Sequence, residues 1–551
     1  MHKILKIAIS MSTLGTFRFF FCNCNSYTAA VVDYLHTYAD YPKELFKDNV
    51  KQYIQIMRNA SRQYADIIVF PEYGLVDLFT LYSAVDKNSS ELEQYSTYVP
   101  DPGQNIAPCE DSNYEKYEQH LVELSCAASI HGIYTIFNLP EKATNNETGE
   151  MEYYNTNVVL DRTGTVITKF RKINLSEEPF LKPGTEIVTF RTDFNVTFGI
   201  FTCFDLLFTY PALDILSNPD VTDIIFPTAW YSETPFLQGL SIQHGYARSK
   251  GINMLASALQ EPYYSDGGSA IYLSDGSIAE AFVTNKRKSR ILVQDVPIIK
   301  KRAISTCEKS NKTAPKRPVV QKEFTDIDNF PLNRDRTSGY IYELLGKRGK
   351  TLTRVCTVNE DFCCIFNISV DISSVSKPDY GYRIIIYKGL SPYGSGILGG
   401  IRVCALIACL NETEDSCGFR TNTSHKSTTF KSIEIQTTVD VTNDTHNQPS
   451  TLRADLMPIT DYVYCETRIS ESKVRIKMAI TSPQDGLVTF GIYGRVYSMD
   501  KTEKEKEQVS STPSFEPEEE VLSLSIVLSI VCVSTLIILA IGSLLWKLHK
   551  S

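Results

Sequence analysis

The chain has 551 residues and a formal net charge of −9. That length exceeds one ordinary domain and predicts two or three folded units; the mild acidity excludes the basic footprint of a nucleic-acid binder. Fourteen cysteines are many for a chain kept in a reducing compartment and predict export.

The N-terminus begins with Met1-His-Lys3, continues as a largely apolar stretch from Ile4 to Phe21, and reaches Cys22-Asn-Cys-Asn-Ser26. Residues 1–26 read as a secretory signal, although Lys6 and Arg18 interrupt the apolar run. From Pro42 to Asp66 the stripe Leu45, Val50, Ile54 and Met57 predicts a helix. It leads into a strand, Ile67–Phe70, that runs out at Pro71-Glu72-Tyr73-Gly74. A second helix is expected over Glu115 to His131, then a strand over Gly132–Asn138. A hairpin follows from Tyr153 to Asn174, turning at Asp161-Arg-Thr-Gly164 and ending in Lys169-Phe-Arg-Lys172-Ile-Asn174. The apolar run Thr197 to Phe208 carries Cys203. Strands over Asp223–Phe226, Asn253–Ser257 and Ala270–Leu273 complete the series, the last turning at Ser274-Asp-Gly276. Helices alternating with strands and hairpins predict a layered α/β domain over residues 27–305.

The pattern changes after residue 300. Basic and proline-containing segments mark residues 306–350 as a connector. Residues 351–500 then read as a smaller, mostly antiparallel β domain, with strands near Ile384–Tyr387, Arg402–Ile407, Ile433–Val441 and Leu487–Tyr497. Residues 501–520 are charged and read as a stalk. Residues 521–546 are uncharged and long enough to cross a hydrocarbon core of about 30 Å. Two anchors remain open. The basic tail Lys547 to Ser551 suits a single transmembrane helix, whereas Ser510-Ser-Thr512, a polar spacer and the apolar tail have the order of a GPI signal. Both predict an extracellular location on the plasma membrane.

Ten Asn-x-Ser/Thr sequons agree with export. Nine are expected glycan sites: Asn59, Asn88, Asn146, Asn195, Asn311, Asn367, Asn411, Asn422 and Asn443. The tenth, Asn174, lies two residues past Lys172, where a glycan would crowd the candidate site. Setting aside Cys22, Cys24, Cys203 and Cys532 leaves ten cysteines, enough for five disulfides of open connectivity. The adjacent pair Cys363-Cys364 lacks a zinc-site partner pattern, so no metal is expected.

A cysteine in an apolar strand is ordinarily inert core. Here a carboxylate, a lysine and a cysteine each stand at a strand end, and their chemistry is complementary. A thiolate attacks an amide carbonyl, a carboxylate takes the thiol proton and passes it to the leaving amine, and a cation stabilises the oxyanion. We therefore expect Cys203 as nucleophile, Glu72 as general base and acid, and Lys172 as oxyanion stabiliser, with backbone N–H groups after Cys203 assisting. Lys169 is the competing lysine. Trp230, Tyr231 and His244 are candidate pocket residues, each with an ordinary packing alternative. Asp205 is expected to orient backbone near Cys203.

The segments FPEYG at 70–74, YNTNVVLD at 154–161, KFRKINL at 169–175, IVTF at 187–190, FGIFTCFD at 198–205 and FPTAW at 226–230 resemble the vanin and biotinidase branch of the nitrilase superfamily over roughly residues 28–300. Glu72, Lys172 and Cys203 fall on that family's catalytic positions, and Lys172 rather than Lys169 aligns with its lysine. The resemblance implies an α-β-β-α four-layer sandwich followed by a second β domain. It also implies hydrolysis of a small-molecule linear amide without a cofactor: pantetheine to pantothenate and cysteamine, or alternatively a biotin amide. The family habit favours the GPI anchor. A catalytically inactive ligand-binding ectodomain is the rival outside enzymes. Oligomeric state is left open.

Overall fold

A computed structural model describes residues 25–501 except 40, 88, 303–306, 308–326, 336, 347–348, 372–379, 394–395, 421–427 and 443. Residues 1–24 of the signal expected over 1–26, most of the stalk, the apolar run 521–546 and the sequons at Asn88, Asn311, Asn422 and Asn443 lie outside the described residues, while Ser26 opens the first strand. Among the described residues, no helix is long and apolar enough to cross a membrane.

Two six-stranded mixed sheets form the first domain. The order of one is Arg290–Pro297, Ser26–Asp33, Ile67–Val69, Tyr134–Thr144, Met151–Leu160, Val166–Arg171. The order of the other is Ile278–Phe282, Ser269–Tyr272, Asn253–Ala258, Val221–Thr228, Thr197–Ile200, Thr189–Arg191. The period-two alternation of a strand explains the layering. Ala29, Val31, Ile67 and Val69 point between the sheets, against Phe198, Ile224 and Met254. Their neighbours Ala30, Val32, Ile68 and Phe70 point outward, against Leu45, Val50, Tyr53 and Met57 of the helix Pro42–Arg62 and Leu121 and Leu124 of the helix Gln119–His131. The helix Gly239–Lys250 covers the second sheet through Leu240, Tyr246 and Ala247. The result is the α-β-β-α sandwich. Tyr27 Oη bonds Asp223 Oδ1 between the sheets at 2.7 Å.

Two predicted helices are shorter than expected. The first ends at Arg62 rather than Asp66, with Tyr64 in the left-handed region. The second begins at Gln119, because Tyr117 is extended and separates it from a short 3₁₀ turn, Tyr114–Lys116.

The second domain consists of two five-stranded sheets, all of whose pairings are antiparallel. The connector reading needs correction. Ile341–Leu344 pairs with Gly381–Pro392 inside the β domain, and Asn333–Arg334 pairs with Glu233–Thr234 of the first domain. These segments of two and four residues, beside Gly339, carry too little periodicity to read as strands. The ten remaining cysteines form five disulfides: Cys109–Cys126, Cys307–Cys465, Cys356–Cys363, Cys364–Cys404 and Cys409–Cys417. The Cys364–Cys404 bond joins the two β sheets.

The two domains share a packed face. A Cβ added at Gly245 would lie 2.3 Å from the Pro449 carbonyl oxygen, so only glycine lets this helix approach the β domain. Arg495 Nε donates to the Leu207 carbonyl at 2.9 Å, just beyond Cys203. Phe236 stacks on Tyr493 with centroids 5.7 Å apart.

Candidate active site

Three segments leave the carboxyl ends of their strands and converge. After Val69 the chain turns so that Glu72 is buried and Tyr73 adopts φ 57°. The Tyr73 amide donates to Asn138 Oδ1 at 3.0 Å, which holds this turn. Lys172 follows directly on the strand Val166–Arg171, its backbone tied to Asn155 O and its carbonyl to the Gly184 amide, each at 2.8 Å. Cys203 opens a 3₁₀ turn, Cys203–Leu207, three residues beyond the strand Thr197–Ile200. Its φ of 47° is unusual for a residue with a Cβ and projects the side chain from a sharp bend. The Asp205 carboxylate fixes that bend by accepting from the amides of Thr202, at 3.1 Å, and Asn174, at 2.7 Å. This is the orienting part expected of Asp205. Asn174 Nδ2 donates to Asp205 Oδ1 and to the Tyr210 carbonyl, so this sequon asparagine is engaged inside the fold.

Lys172 Nζ bonds Glu72 Oε1 and Glu178 Oε2, both at 2.8 Å. Asn155 Nδ2 bridges the same carboxylates, at 2.8 Å to Glu72 and 2.7 Å to Glu178. The other oxygen of Glu72 accepts from the Ala229 amide at 2.9 Å, and Cys203 Sγ lies 3.5 Å from the Ala229 carbonyl oxygen. Cys203 is the free cysteine among the described residues. Lys169 points elsewhere, into a cluster with Glu141 at 2.8 Å and Asp101 at 3.0 Å.

One buried lysine between two buried carboxylates sets the protonation pattern. Burial opposes the charge of Lys172, but Glu178 and Glu72 outweigh it and hold its pKa well above the ordinary lysine value. Burial raises Glu72 above a normal glutamate; Lys172 pulls the other way and Glu178 adds to the rise. Burial pushes Glu178 up as well, but Lys172, with hydrogen bonds from Tyr73 and Asn155, outweighs it and lowers the pKa. Glu178 thus stays ionised as the standing counter-ion, and Glu72 is the carboxylate with the higher proton affinity. Burial, then the Glu72 charge, push the Cys203 thiol well above its ordinary value, against the pull of Lys172. The resting thiol is therefore protonated and needs an adjacent base to become a nucleophile.

These groups open into a cavity of about 470 Å³. Trp230 and Tyr231 stand on its wall, with Phe79, Phe204 and Leu237. Asn333 and Tyr393 line it as well, so both domains build the site. His244 does not line it, which corrects that candidate. It sits buried on the helix Gly239–Lys250, with Nε2 3.0 Å from the Gly276 carbonyl oxygen and its ring beside Tyr272 and Tyr462. Burial pushes its pKa down to about 4, as suits a neutral packing residue.

The carbon-nitrogen hydrolase family model matches residues 28–298, and the vanin C-terminal domain model matches residues 330–500. Vanin-like protein 1 of Drosophila melanogaster is 31% identical over 510 residues, covering 86% of this chain and 87% of that protein. Vanin-like protein 2 of the same organism is 32% identical over 512 residues, covering 86% and 90%. The chain belongs to the vanin family. It is a hydrolase of carbon–nitrogen bonds in linear amides, built on the nitrilase fold. A pantetheinase of Canis lupus familiaris is 27% identical over 500 residues, covering 86% of each chain.

Sequence reasoning missed two polar members of this vanin site. Glu178 is one of the adjacent pair Glu177-Glu178 before Pro179, in a loop with no periodicity to single it out. Asn155 carried a signal, an amide in the polar run Asn155-Thr-Asn157 inside a strand, within the quoted segment 154–161.

Proposed function

We propose that this vanin-family chain is an extracellular pantetheinase that acts through a thioester on Cys203. The observation that carries the reading is the hydrogen-bonded set Glu72–Lys172–Glu178 beside the free thiol of Cys203 in a cavity large enough for a small amide. Pantetheinases among the relatives, matched across both domains, support this substrate over a biotin amide.

Glu72 takes the thiol proton as Cys203 Sγ bonds to the amide carbon. The carbonyl oxygen gains the negative charge beside the Lys172 ammonium. The carbon–nitrogen bond then breaks, Glu72 returns its proton to the leaving amine, and the acyl group remains as a thioester. Water attacks the thioester with Glu72 again as base, which releases the acid and restores the thiol. Glu178 keeps Lys172 charged throughout. No step requires a metal or organic cofactor.

Five disulfides support an oxidising compartment. The C-terminal apolar run 521–546 serves as the membrane attachment in this reading, with the GPI form preferred. Amine release from pantetheine and from biocytin, measured side by side with the purified ectodomain, tests the substrate. Cysteamine release with little lysine release is expected. The reverse ratio would make the protein a biotinidase, and absence of both would contradict the proposal.

A further inference from the structure

The mechanism leaves one wall of the cavity unused, and that wall is polar. His36 lines the cavity and is 3% exposed, yet neither ring nitrogen has a hydrogen-bond partner. Its Nε2 stands 3.5 Å from Asp77 Oδ2. Asp77 is itself held by the Thr80 amide at 2.9 Å and the Thr80 hydroxyl at 2.5 Å. With Nε2 turned toward that carboxylate, Nδ1 is the ring nitrogen with neither a hydrogen bond nor an ion pair. The His36 ring packs edge-on against Tyr38, with centroids 4.2 Å apart. Tyr38 Oη donates to Glu261 Oε2 at 2.7 Å, and Glu261 O accepts from the Asp266 amide at 3.2 Å. Asp266 also lines the cavity, is 3% exposed, and has Oδ1 without a partner. The arc Asp77–His36–Tyr38–Glu261–Asp266 is therefore continuous, and His36 Nδ1 and Asp266 Oδ1 along it lack partners.

Buried polar atoms are ordinarily paired, and leaving one unmet is unfavourable. Two in one arc of an active-site cavity mark where a ligand supplies the missing partners. The charge of the lining narrows the ligand further. Glu72, Asp77, Glu233, Glu261 and Asp266 face the cavity, and Lys172, already flanked by two carboxylates, is the one lysine or arginine among its described lining residues. An anionic substrate arm would find no unengaged cation in this lining.

Resting on the pantetheinase reading, we infer that His36 and Asp266 are specificity-determining residues that accept hydrogen bonds from hydroxyl or amide N–H groups of an uncharged substrate arm. The arc selects a donor-bearing amide and discriminates against apolar or carboxylate-bearing ones. Burial, with Glu72 and Glu261 nearby, raises the Asp266 carboxyl well above the usual range, so it meets the substrate as a neutral hydrogen-bonding group.

The test uses pantetheine and its analogue 3,3-dimethylbutanoyl-β-alanyl-cysteamine, which keeps the scissile amide and lacks both hydroxyls. Wild type, His36→Leu, His36→Gln, Asp266→Ala and Asp266→Asn are compared, with alkylation of Cys203 by iodoacetamide reporting an intact site. Wild type should lose roughly tenfold or more in kcat/KM on the analogue, mainly through KM, as expected for a lost hydrogen bond to a buried group. His36→Leu and Asp266→Ala should lose a similar factor on pantetheine and little on the analogue. His36→Gln and Asp266→Asn, which retain an acceptor, should recover part of it. Equal losses on both substrates would assign the two residues a merely structural part and overturn the inference, as would no loss on either. Wild type that cleaves neither substrate would refute the pantetheinase reading itself, and the inference with it.

Discussion

Lys172→Met tests the electrostatic core of the account. Lys172 is 2% exposed and pairs at 2.8 Å with Glu72 and Glu178, which are 1% and 2% exposed. Methionine fills similar volume but leaves two buried carboxylates without a countercharge. Removing one partner from a buried ionic group costs about 3–5 kcal/mol of stability, and losing an oxyanion donor costs about 10²–10³ in kcat. The pH dependence follows from the same pairing. Glu178 is held below its ordinary value of 4.5 in the folded protein, so its contribution to stability is present above that pH and is lost as the pH falls through the lowered value. Without Lys172 that contribution disappears, and a proton on either carboxylate relieves the repulsion. The stability gap to wild type should be largest near neutrality and close in acid. Urea unfolding of the purified ectodomain across pH, with steady-state amine release, measures both effects. A variant with wild-type kcat, or a gap that widens in acid, would refute the reasoning.

Cys203→Ala should fold and be secreted normally but lose turnover, read by cysteamine release; retention of more than a few per cent would remove the nucleophile role. Glu178→Gln should shift the acid limb of kcat/KM to lower pH, because the Glu178 charge contributes to the raised pKa of Glu72; an unchanged or upward-shifted limb counts against this coupling. Gly245→Val forces a side chain toward the Pro449 carbonyl and should cost about 1–3 kcal/mol by overpacking, read as a lower denaturation midpoint, with an unchanged midpoint as the contrary result. For the anchor, phosphatidylinositol-specific phospholipase should release the protein from cells; an epitope placed after Ser551 and retained on mature surface protein would instead indicate a transmembrane helix.

The layered fold was legible because its strands are apolar on both faces and its covering helices amphipathic. Ile67 to Phe70 alternates between two cores, which is why four successive apolar residues read as a buried strand. Glu72, Lys172 and Cys203 were legible because strand ends deliver them and family-like segments surround them. Glu178 was not, since its place depends on a loop folding back onto Lys172. The fate of His244 was equally hidden: whether a helix histidine faces a cavity or a neighbouring domain depends on packing that no local pattern encodes. The unpartnered nitrogens of His36 became visible only once the cavity had a shape. Disulfide connectivity followed the same rule, with Cys363 and Cys364 adjacent in sequence but bonded to Cys356 and Cys404 on different strands.

The most direct test of the central claim is to trap the acyl-enzyme. Purified ectodomain mixed with excess pantetheine, quenched in acid within the first turnovers and digested, should yield the Cys203 peptide carrying one pantothenoyl group. The adduct should be absent in Cys203→Ala and should decay as pantothenate appears. Pantothenate release without any adduct, continuing at the wild-type rate in Cys203→Ala, would contradict thioester catalysis at Cys203.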